Sequence, residues 1–250
     1  MPAVQHGACA QKGDCSMCSR YNLTSPHEAV RAYFGYENRH EFPPRYNIAP
    51  TDPAAIVRPA HNGRRELWLV RWGLIPSWVK DPQSFSTLIN AREETILEKP
   101  SFRGGIRHKR CLVPATGFYE WTGPRGAKQP HHIHRSQNEN GGESAGALMA
   151  FAGIYDEWLG ADGSEIDTMA IITVAANRTL QAIHDRMPAI LAPEDFDAWL
   201  DVKGVEAREA VELLRPADDN SLAVTEVSRA VNSPRAEGVE LIEPVGDRLL

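Results

Sequence analysis

Residues 54–72, AAIVRPAHNGRRELWLVRW, carry the pattern that decides the fold class. Residues 54–58 and 66–72 are rich in β-branched and aromatic side chains, which is typical of strands. Between them, His61-Asn62-Gly63 supplies residue types that accept the positive backbone angles of a tight turn. The stretch therefore predicts an antiparallel hairpin, and we expect this hairpin to belong to a larger sheet.

Strand-like segments outnumber helical ones in the rest of the chain, and the two do not alternate as in βαβ units. Further strands are predicted at residues 111–113, 118–121, 131–135, 148–154, 168–175, 223–227 and 239–242. Helices are predicted at residues 26–34, 90–98, 177–183, 193–200 and 205–214. This order predicts an α+β fold with a curled, mainly antiparallel, barrel-like sheet and flanking helices.

The composition is that of an ordinary globular domain. The chain has 250 residues, 42% hydrophobic and 24% charged, which is long enough for one sizeable core. It has no apolar run of about 18 residues and no signal peptide, so we expect a cytoplasmic monomer with no membrane partner. The four cysteines do not form a disulfide framework, because three of them lie within the first 18 residues.

The charge pattern leaves two readings of the surface open. The net charge of -6 argues weakly against nucleic acid as a partner. Residues 103–110, however, contain five basic side chains and no acidic one. This segment is either a solvated loop or one wall of a local basic cleft.

Cys18 follows Met17 at the end of a tail that we predict to be disordered, residues 1–16. If the residues before Cys18 are absent, its α-amine and thiol lie two carbons apart. Both groups are partly nucleophilic near neutral pH. Such a pair traps an aldehyde as an imine, which the thiol then closes into a thiazolidine ring.

Two other uses of the cysteines are weaker. Cys15 and Cys18 form a single C-x-x-C pair, which with Cys9 and His6 gives at most half of an organised zinc site. A Cys–His hydrolase using Cys18 and His184 is compatible with the spacing. We expect no metal and no organic cofactor.

Two polar residues stand out between apolar neighbours. Asn90 lies where a strand gives way to a predicted helix, so it is either an N-cap or an amide that orients a reacting group. Glu120 lies within Gly117-Phe118-Tyr119-Glu120-Trp121. Aromatic surroundings raise the pKa of a carboxyl group and suit it to proton transfer, whereas the alternative is a solvent-facing residue of an alternating strand.

Histidines supply the remaining candidates. His184 can act as an acid or base, and Arg186 two residues later can bind a phosphate; the alternative is a surface helix end. His131, His132 and His134 alternate along a predicted strand. Without an acid or cysteine at useful spacing, we interpret these three as surface or edge residues.

Together, these segments resemble the SOS response-associated peptidase family, also called abasic-site processing proteins. The matching motifs, in order, are residues 17–20 (MCSR), 45–50 (RYNIAP), 72–76 (WGLIP), 89–93 (INARE), 117–121 (GFYEW) and 184–188 (HDRMP). The resemblance runs from residue 17 to about residue 245, which makes residues 17–250 one domain of this type preceded by an extension at 1–16.

The resemblance implies a role for each candidate. Cys18 looks like the N-terminal cysteine that forms a thiazolidine with an abasic-site aldehyde in single-stranded DNA. Asn90 looks like the residue that positions the adduct, Glu120 like a proton shuttle, and His184 like the acid–base group for sugar ring opening. Phosphate and nucleotide contacts are implied for Arg20, Arg45, Asn47, Arg92 and Arg186. Trp78 resembles a stacking tryptophan, although Val79 stands where a second aromatic residue is frequent.

The N-terminus departs from the family pattern, in which the chain begins at Met-Cys. With residues 1–17 in place, the Cys18 nitrogen is an amide and cannot close the ring. Three explanations stand: translation starts at Met17, the tail is removed by self-cleavage, or cross-linking has been lost. We favour the first over the second.

Overall fold

A computed structural model describes residues 18–124, 126–136 and 148–246. Its strands are β1 (Tyr21–Leu23), β2 (Arg45–Ile48), β3 (Pro53–Pro59), β4 (Arg65–Trp72), β5 (Asn90–Arg92), β6 (Arg110–Ala115), β7 (Gly117–Thr122), β8 (Gln129–Arg135), β9 (Met149–Leu159), β10 (Glu165–Ala175), β11 (Arg186–Pro188), β12 (Ile190–Leu191) and β13 (Leu222–Glu226). Its α-helices are α1 (His27–Phe34), α2 (Arg103–His108), α3 (Phe196–Leu200) and α4 (Ala207–Val211). One-turn 3₁₀ helices lie at Glu93–Thr95, Pro193–Asp195, Arg229–Asn232 and Val239–Leu241.

Five strands close a barrel. β3 pairs with β4, β4 with β10, β10 with β9, β9 with β6, and β6 returns to β3. All of these pairs are antiparallel except β4 with β10. The predicted α+β fold with a curled, mainly antiparallel sheet is therefore confirmed, and the predicted hairpin is its β3–β4 pair.

A second, antiparallel sheet lies against the barrel in the order β13-β8-β7-β1-β2. Its strand β1 joins the barrel core through Tyr21, whose ring meets Trp72 edge-on at 5.2 Å and Phe151 at 6.1 Å. All three side chains have no exposed surface. Each such aromatic residue contributes roughly 2–3 kcal/mol of burial free energy, so this junction fixes the start of β1 against the barrel.

Three predicted elements are wrong. Residues 90–92 form strand β5 instead of the start of a helix, because β10 offers a free edge that pairs with Asn90 and Arg92. Residues 239–242 form a 3₁₀ turn, not a strand, and Leu241 still reaches a buried cluster. Residues 178–183 form turns, not a helix. In the described part of the chain, no helix has both the length and the apolarity to cross a membrane.

Arg110 at the start of β6 fastens the helices to the barrel. Its side chain has no exposed surface, and its guanidinium donates to the backbone oxygens of Trp199 at 2.6 Å, Asp201 at 2.7 Å, Val205 at 3.0 Å and Ile106 at 3.2 Å. The Ile106, Trp199 and Asp201 oxygens lie at the C-terminal ends of α2 and α3, and the Val205 oxygen lies in the segment that leads into α4.

We expect Arg110→Met to lower the free energy of unfolding by roughly 3–5 kcal/mol, because it leaves several buried carbonyls without a donor. The matched control is Arg107→Met, on the exposed face of the preceding helix α2, with an expected change below about 0.5 kcal/mol. Urea titration of both variants measures the difference. Equal midpoints would show that Arg110 does not fasten the helices.

Candidate active site

Strand pairing gathers three distant segments at one place. β1 pairs with β7, and the Tyr119 amide donates to the Arg20 carbonyl at 3.0 Å, so the segment before β1 runs beside Glu120. β10 binds β5 on one edge, with Ile171 opposite Asn90. Its other edge binds β11, with Ala175 opposite Arg186. The sheets thereby bring together residues far apart in sequence.

Cys18 is buried at the meeting point, with 1% of its surface exposed. Its backbone nitrogen donates to the Glu120 carboxylate Oε1 at 2.7 Å. Burial, followed by the Glu120 charge, raises the pKa of its thiol well above the ordinary value. Its φ of 28° lies in the left-handed region, which costs a non-glycine residue conformational energy.

Glu120 is a buried carboxyl group with 3% of its surface exposed. Burial raises its pKa to about 7, although the backbone amides of Cys18 and Trp121 hydrogen-bond to it and pull the pKa down. The predicted rise in pKa is confirmed, and the solvent-facing alternative is wrong. A carboxyl with this pKa can both accept and release a proton near neutral pH.

Asn90 lies in β5 and faces the same cysteine. Its Nδ2 lies 3.5 Å from the carbonyl oxygen of Cys18. The N-cap interpretation is wrong, because Asn90 pairs with β10 as strand, and the 3₁₀ turn that follows begins only at Glu93. The amide is therefore positioned to orient the backbone of Cys18.

His184 has a side chain only 8% exposed. Its Nδ1 accepts the Arg186 backbone N–H at 3.0 Å and also lies 3.0 Å from the Asp185 carboxylate. The first contact suits neutral imidazole and the second suits imidazolium, so each protonation state has a partner. Burial lowers the pKa of His184 from 6.5, and the Asp185 charge opposes that shift.

The charges of Lys128 and Asp185 act on both Glu120 and His184, and neither residue follows from sequence reasoning. The charge of Lys128 lowers the pKa of Glu120 and of His184, while Asp185 raises both. Lys128 precedes β8, whose register with β7 places Glu120 opposite His131. The hairpin between residues 117 and 135 is the only sequence signal that points to Lys128.

Five of the six predicted DNA-contact residues fall into two groups. Arg20, Arg45 and Arg186 are held by protein partners. Arg45 bonds Asp52 at 3.0 Å and Glu237 at 2.7 Å. Arg186 forms a two-pronged ion pair with Glu94, one prong at 2.9 Å. By contrast, Arg92 is exposed and Trp78 has 58% of its surface exposed.

Asn47 lies in the interior, fully buried. Its Oδ1 accepts from Arg20 at 3.0 Å, and its Nδ2 donates to the carbonyls of Ser233 at 2.9 Å and Ala236 at 3.0 Å. These bonds hold Arg20 against the C-terminal segment. Asn47 thus orients a basic residue through the protein interior.

The three histidines of β8 are bound to neighbours, and the surface interpretation is wrong for His132. His132 is buried, lies 3.2 Å from Asn22 Oδ1, and burial lowers its pKa to about 3. His131 contacts the Thr122 hydroxyl at 2.9 Å, and His134 contacts the Thr225 hydroxyl at 3.0 Å. Within residues 18–124, 126–136 and 148–246, no three potential ligands gather to hold a metal ion.

Comparison with known proteins identifies relatives over most of the chain. Residues 17–234 match the family described as SOS response associated peptidase. The chain is 38% identical over 233 residues to the abasic site processing protein YoqW of Bacillus subtilis (strain 168), covering 91% of this chain and 99% of that protein. It is 39% identical over 267 residues to the abasic site processing protein HMCES of Gallus gallus, covering 97% and 76%.

Solved structures agree with the fold. A protein from Bacteroides thetaiotaomicron superposes with a TM-score of 0.79 at 28% identity, covering 91% of this chain and 100% of that one. A protein from Bordetella bronchiseptica gives a TM-score of 0.71 at 26% identity, covering 84% and 100%.

Glu120 gives a pH-dependent stability prediction. Its pKa is about 7 in the folded chain and 4.5 ordinarily, so the folded state holds the proton more tightly. Stability from this group is present at low pH and is lost as the pH rises from about 4.5 through 7. We expect Glu120→Gln to raise the free energy of unfolding by roughly 3 kcal/mol at pH 8 and by less than about 1 kcal/mol at pH 5.

Thermal unfolding at both pH values measures this effect. The control is Glu41→Gln, an exposed carboxyl whose replacement we expect to change stability little at either pH. A Glu120→Gln protein with the same stability gain at pH 5 and pH 8 would contradict the raised pKa.

Proposed function

Because the chain belongs to the SOS response associated peptidase family, we propose that it processes abasic sites in single-stranded DNA by bonding their aldehyde to Cys18. Curated relatives at 38–39% identity are named abasic site processing proteins. The observation that carries the proposal is the 2.7 Å contact between the Cys18 backbone nitrogen and the Glu120 carboxylate. It puts a proton acceptor at the atom that must attack.

The proposed reaction has two bond-forming steps. The α-amine of Cys18 adds to the aldehyde carbon of the ring-opened abasic sugar, and loss of one water gives an imine. The Cys18 sulfur then attacks the imine carbon, and the thiol proton moves to the nitrogen. The product is a thiazolidine, and no oxidant, reductant or cofactor is consumed.

Glu120 is the proposed proton-transfer group, and Asn90 is the proposed positioning residue. Burial holds the Cys18 sulfur as a thiol, so ring closure needs a base, and the Glu120 carboxyl with a pKa of about 7 is within reach. It can take the proton from the amine, return it to the departing water, and accept the thiol proton. The Asn90 amide, 3.5 Å from the Cys18 carbonyl, holds the backbone while the bonds change.

His184 is the proposed acid–base group for the sugar. Opening the closed sugar ring requires a proton on the ring oxygen and removal of one from the hydroxyl. An imidazole with partners for both its neutral and charged forms suits this exchange. The same group can promote reversal of the cross-link.

The proposed DNA contacts are Arg20, Arg45, Asn47, Arg92, Arg186 and Trp78. Arg92 is exposed and can meet a phosphate directly. Arg45 and Arg186 can do so by exchanging carboxylate partners, Glu237 and Glu94, for phosphate oxygens. Asn47 acts by holding Arg20, and Trp78 offers an exposed ring for an unpaired base.

The Cys18 nitrogen must be a primary amine for this chemistry. Either translation starts at Met17 and that methionine is removed, or the protein cuts itself before Cys18. In the second route the thiol attacks the preceding carbonyl carbon, the C–N bond breaks with a proton from Glu120, and water hydrolyses the thioester. The strained φ of Cys18 and the position of Glu120 support this route.

A general Cys–His peptidase is less well supported. Such enzymes lower the pKa of their cysteine to hold a thiolate nucleophile. Here burial and the Glu120 charge raise the pKa of Cys18, and the side chain is 1% exposed. A peptidase would have to begin with a thiol that its surroundings keep protonated, whereas the proposed cross-link begins at the amine.

We expect the mature chain to form an adduct with an abasic oligonucleotide that survives denaturing electrophoresis. Cys18→Ala keeps the amine but cannot close the ring, so its adduct should appear only when borohydride reduces the imine. A tetrahydrofuran analogue, which has no aldehyde, is the control and should give none. Cleavage of unrelated peptides without an adduct would favour the peptidase, and salt-sensitive binding alone would favour a noncatalytic module.

Intact mass of the purified protein tests the amine requirement. We expect the species that forms the adduct to have the mass of residues 18–250, and a chain that retains residues 1–17 to form none. An adduct of equal yield from the longer chain would contradict the ring chemistry.

We expect His184→Gln to slow adduct formation by roughly 10²-fold, which is typical of losing a general acid–base group. The control is His61→Gln, on the exposed β3–β4 turn, with no expected change. A linear aldehyde substrate, which needs no ring opening, should restore the rate. Equal slowing on both substrates would remove His184 from the ring-opening step.

A further inference from the structure

A groove that begins at the proposed DNA-contact residue Trp78 lies between the loop that carries this residue and the helix α2. It has a volume of about 380 Å³ and is lined by Trp78, Pro100, Arg103, Gly104, Arg107 and His108. The basic segment that the sequence left open as a loop or a cleft wall is therefore one wall of a groove. The opposite wall is formed by the ring of Trp78, which is the most exposed tryptophan in the described residues.

The two walls are fixed to one another through Asp156. Its Oδ2 accepts the Ser77 amide at 2.8 Å, and its Oδ1 accepts Lys109 Nζ at 2.7 Å. Ser77 immediately precedes Trp78, and Lys109 immediately follows α2. One carboxylate thus binds both the residue before Trp78 and the residue after α2, which fixes the two walls relative to each other before any ligand binds.

Helix α2 is seated so that its basic face points outward. An added Cβ at Gly105 would lie 3.0 Å from Ile154, so glycine allows the helix to lie close to β9. Ile106 is buried beneath the helix, while Arg103 and Arg107 are exposed. These arginines are four residues apart and therefore share one helix face.

The charges of α2 oppose helix stability. Arg103 occupies the first turn, where the helix dipole disfavours a cation, and no side chain caps that end. Arg103 and Arg107 also repel each other at this spacing. Across the described ranges, neither arginine has a carboxylate partner within 4 Å. Glu157 and Asp156, on the neighbouring strand, are occupied by Lys109. Two guanidinium groups without a carboxylate partner are the charge arrangement expected of a surface that binds a polyanion.

We propose that this groove binds the single-stranded DNA that flanks the reacting nucleotide, with a base stacked on Trp78 and phosphates on Arg103 and Arg107. The inference rests on the proposed function for the identity of the DNA. A single strand fits better than a duplex, because only an unpaired base exposes its face to an aromatic ring. Two exposed lysines, Lys80 two residues after Trp78 and Lys99 just before Pro100, add positive charge to the segments that form the groove.

The test compares two double variants of the full chain with the same change in net charge. Arg103→Gln with Arg107→Gln removes the groove cations, and Arg39→Gln with Arg208→Gln removes two exposed cations elsewhere. Binding of undamaged oligonucleotide is measured by anisotropy over a range of salt. We expect the groove variant to bind at least about tenfold more weakly at low salt, and its log–log salt slope to fall by about 1.4.

Trp78→Ala should weaken binding roughly tenfold while leaving the salt slope unchanged, since stacking releases no counterions. Equal losses in the two double variants, or a groove effect seen only with duplex DNA, would overturn the proposal. Undamaged DNA has no aldehyde, so the result does not depend on the cross-link. Absence of the cross-link with a retained groove effect would contradict the proposed function alone.

Discussion

The site depends on strand β10, because each of its two edges pairs with two different strands. Along one edge it pairs with β9 in its first half and with β11 in its last three residues. Along the other it pairs with β4 and then with β5. The first partners close the barrel, and the second partners deliver the Asn90 and His184 segments. Disruption of β10 would therefore open the barrel core and, at the same time, separate the segments that form the site.

Burial then sets the chemistry at the meeting point. Glu120 receives two backbone N–H bonds, which favour its charged form, yet desolvation is the larger effect and holds its pKa near 7. The same burial holds the Cys18 sulfur as a thiol. A single low-dielectric environment thus raises the pKa of Glu120 and keeps the Cys18 thiol protonated, which is what the proposed reaction requires. Strands β1, β7 and β9 contribute Tyr21, Phe118 and Phe151 to the core around it, all fully buried.

Local patterns predicted much of the fold and less of the site. The β3–β4 hairpin follows from alternation and turn residues, which act between neighbours in sequence. Asn90 was misassigned because a free edge of β10, distant in sequence, overrides the helix-like composition of residues 90–98. Residue type and local sequence were enough to name Cys18 as a candidate nucleophile and Glu120 as a candidate for proton transfer. The Glu94 partner of Arg186 and the Lys128 charge depend on tertiary packing, which spacing does not encode.

The arrangement of charge explains how a chain with a net charge of -6 can receive a polyanion. Arg45 is held by Glu237 and Arg186 by Glu94, so a phosphate bound at either arginine would have to displace an existing carboxylate. Such an exchange gains little binding free energy, because one anion replaces another. The carboxylates nevertheless hold the guanidinium groups in position before DNA binds. On the α2 face, Arg103 and Arg107 have no carboxylate partner within the described residues, so binding DNA there releases counterions without an exchange. Under the proposed function, affinity and position fall to different surfaces: we propose that the groove retains the strand and that the paired arginines align the sugar with Cys18.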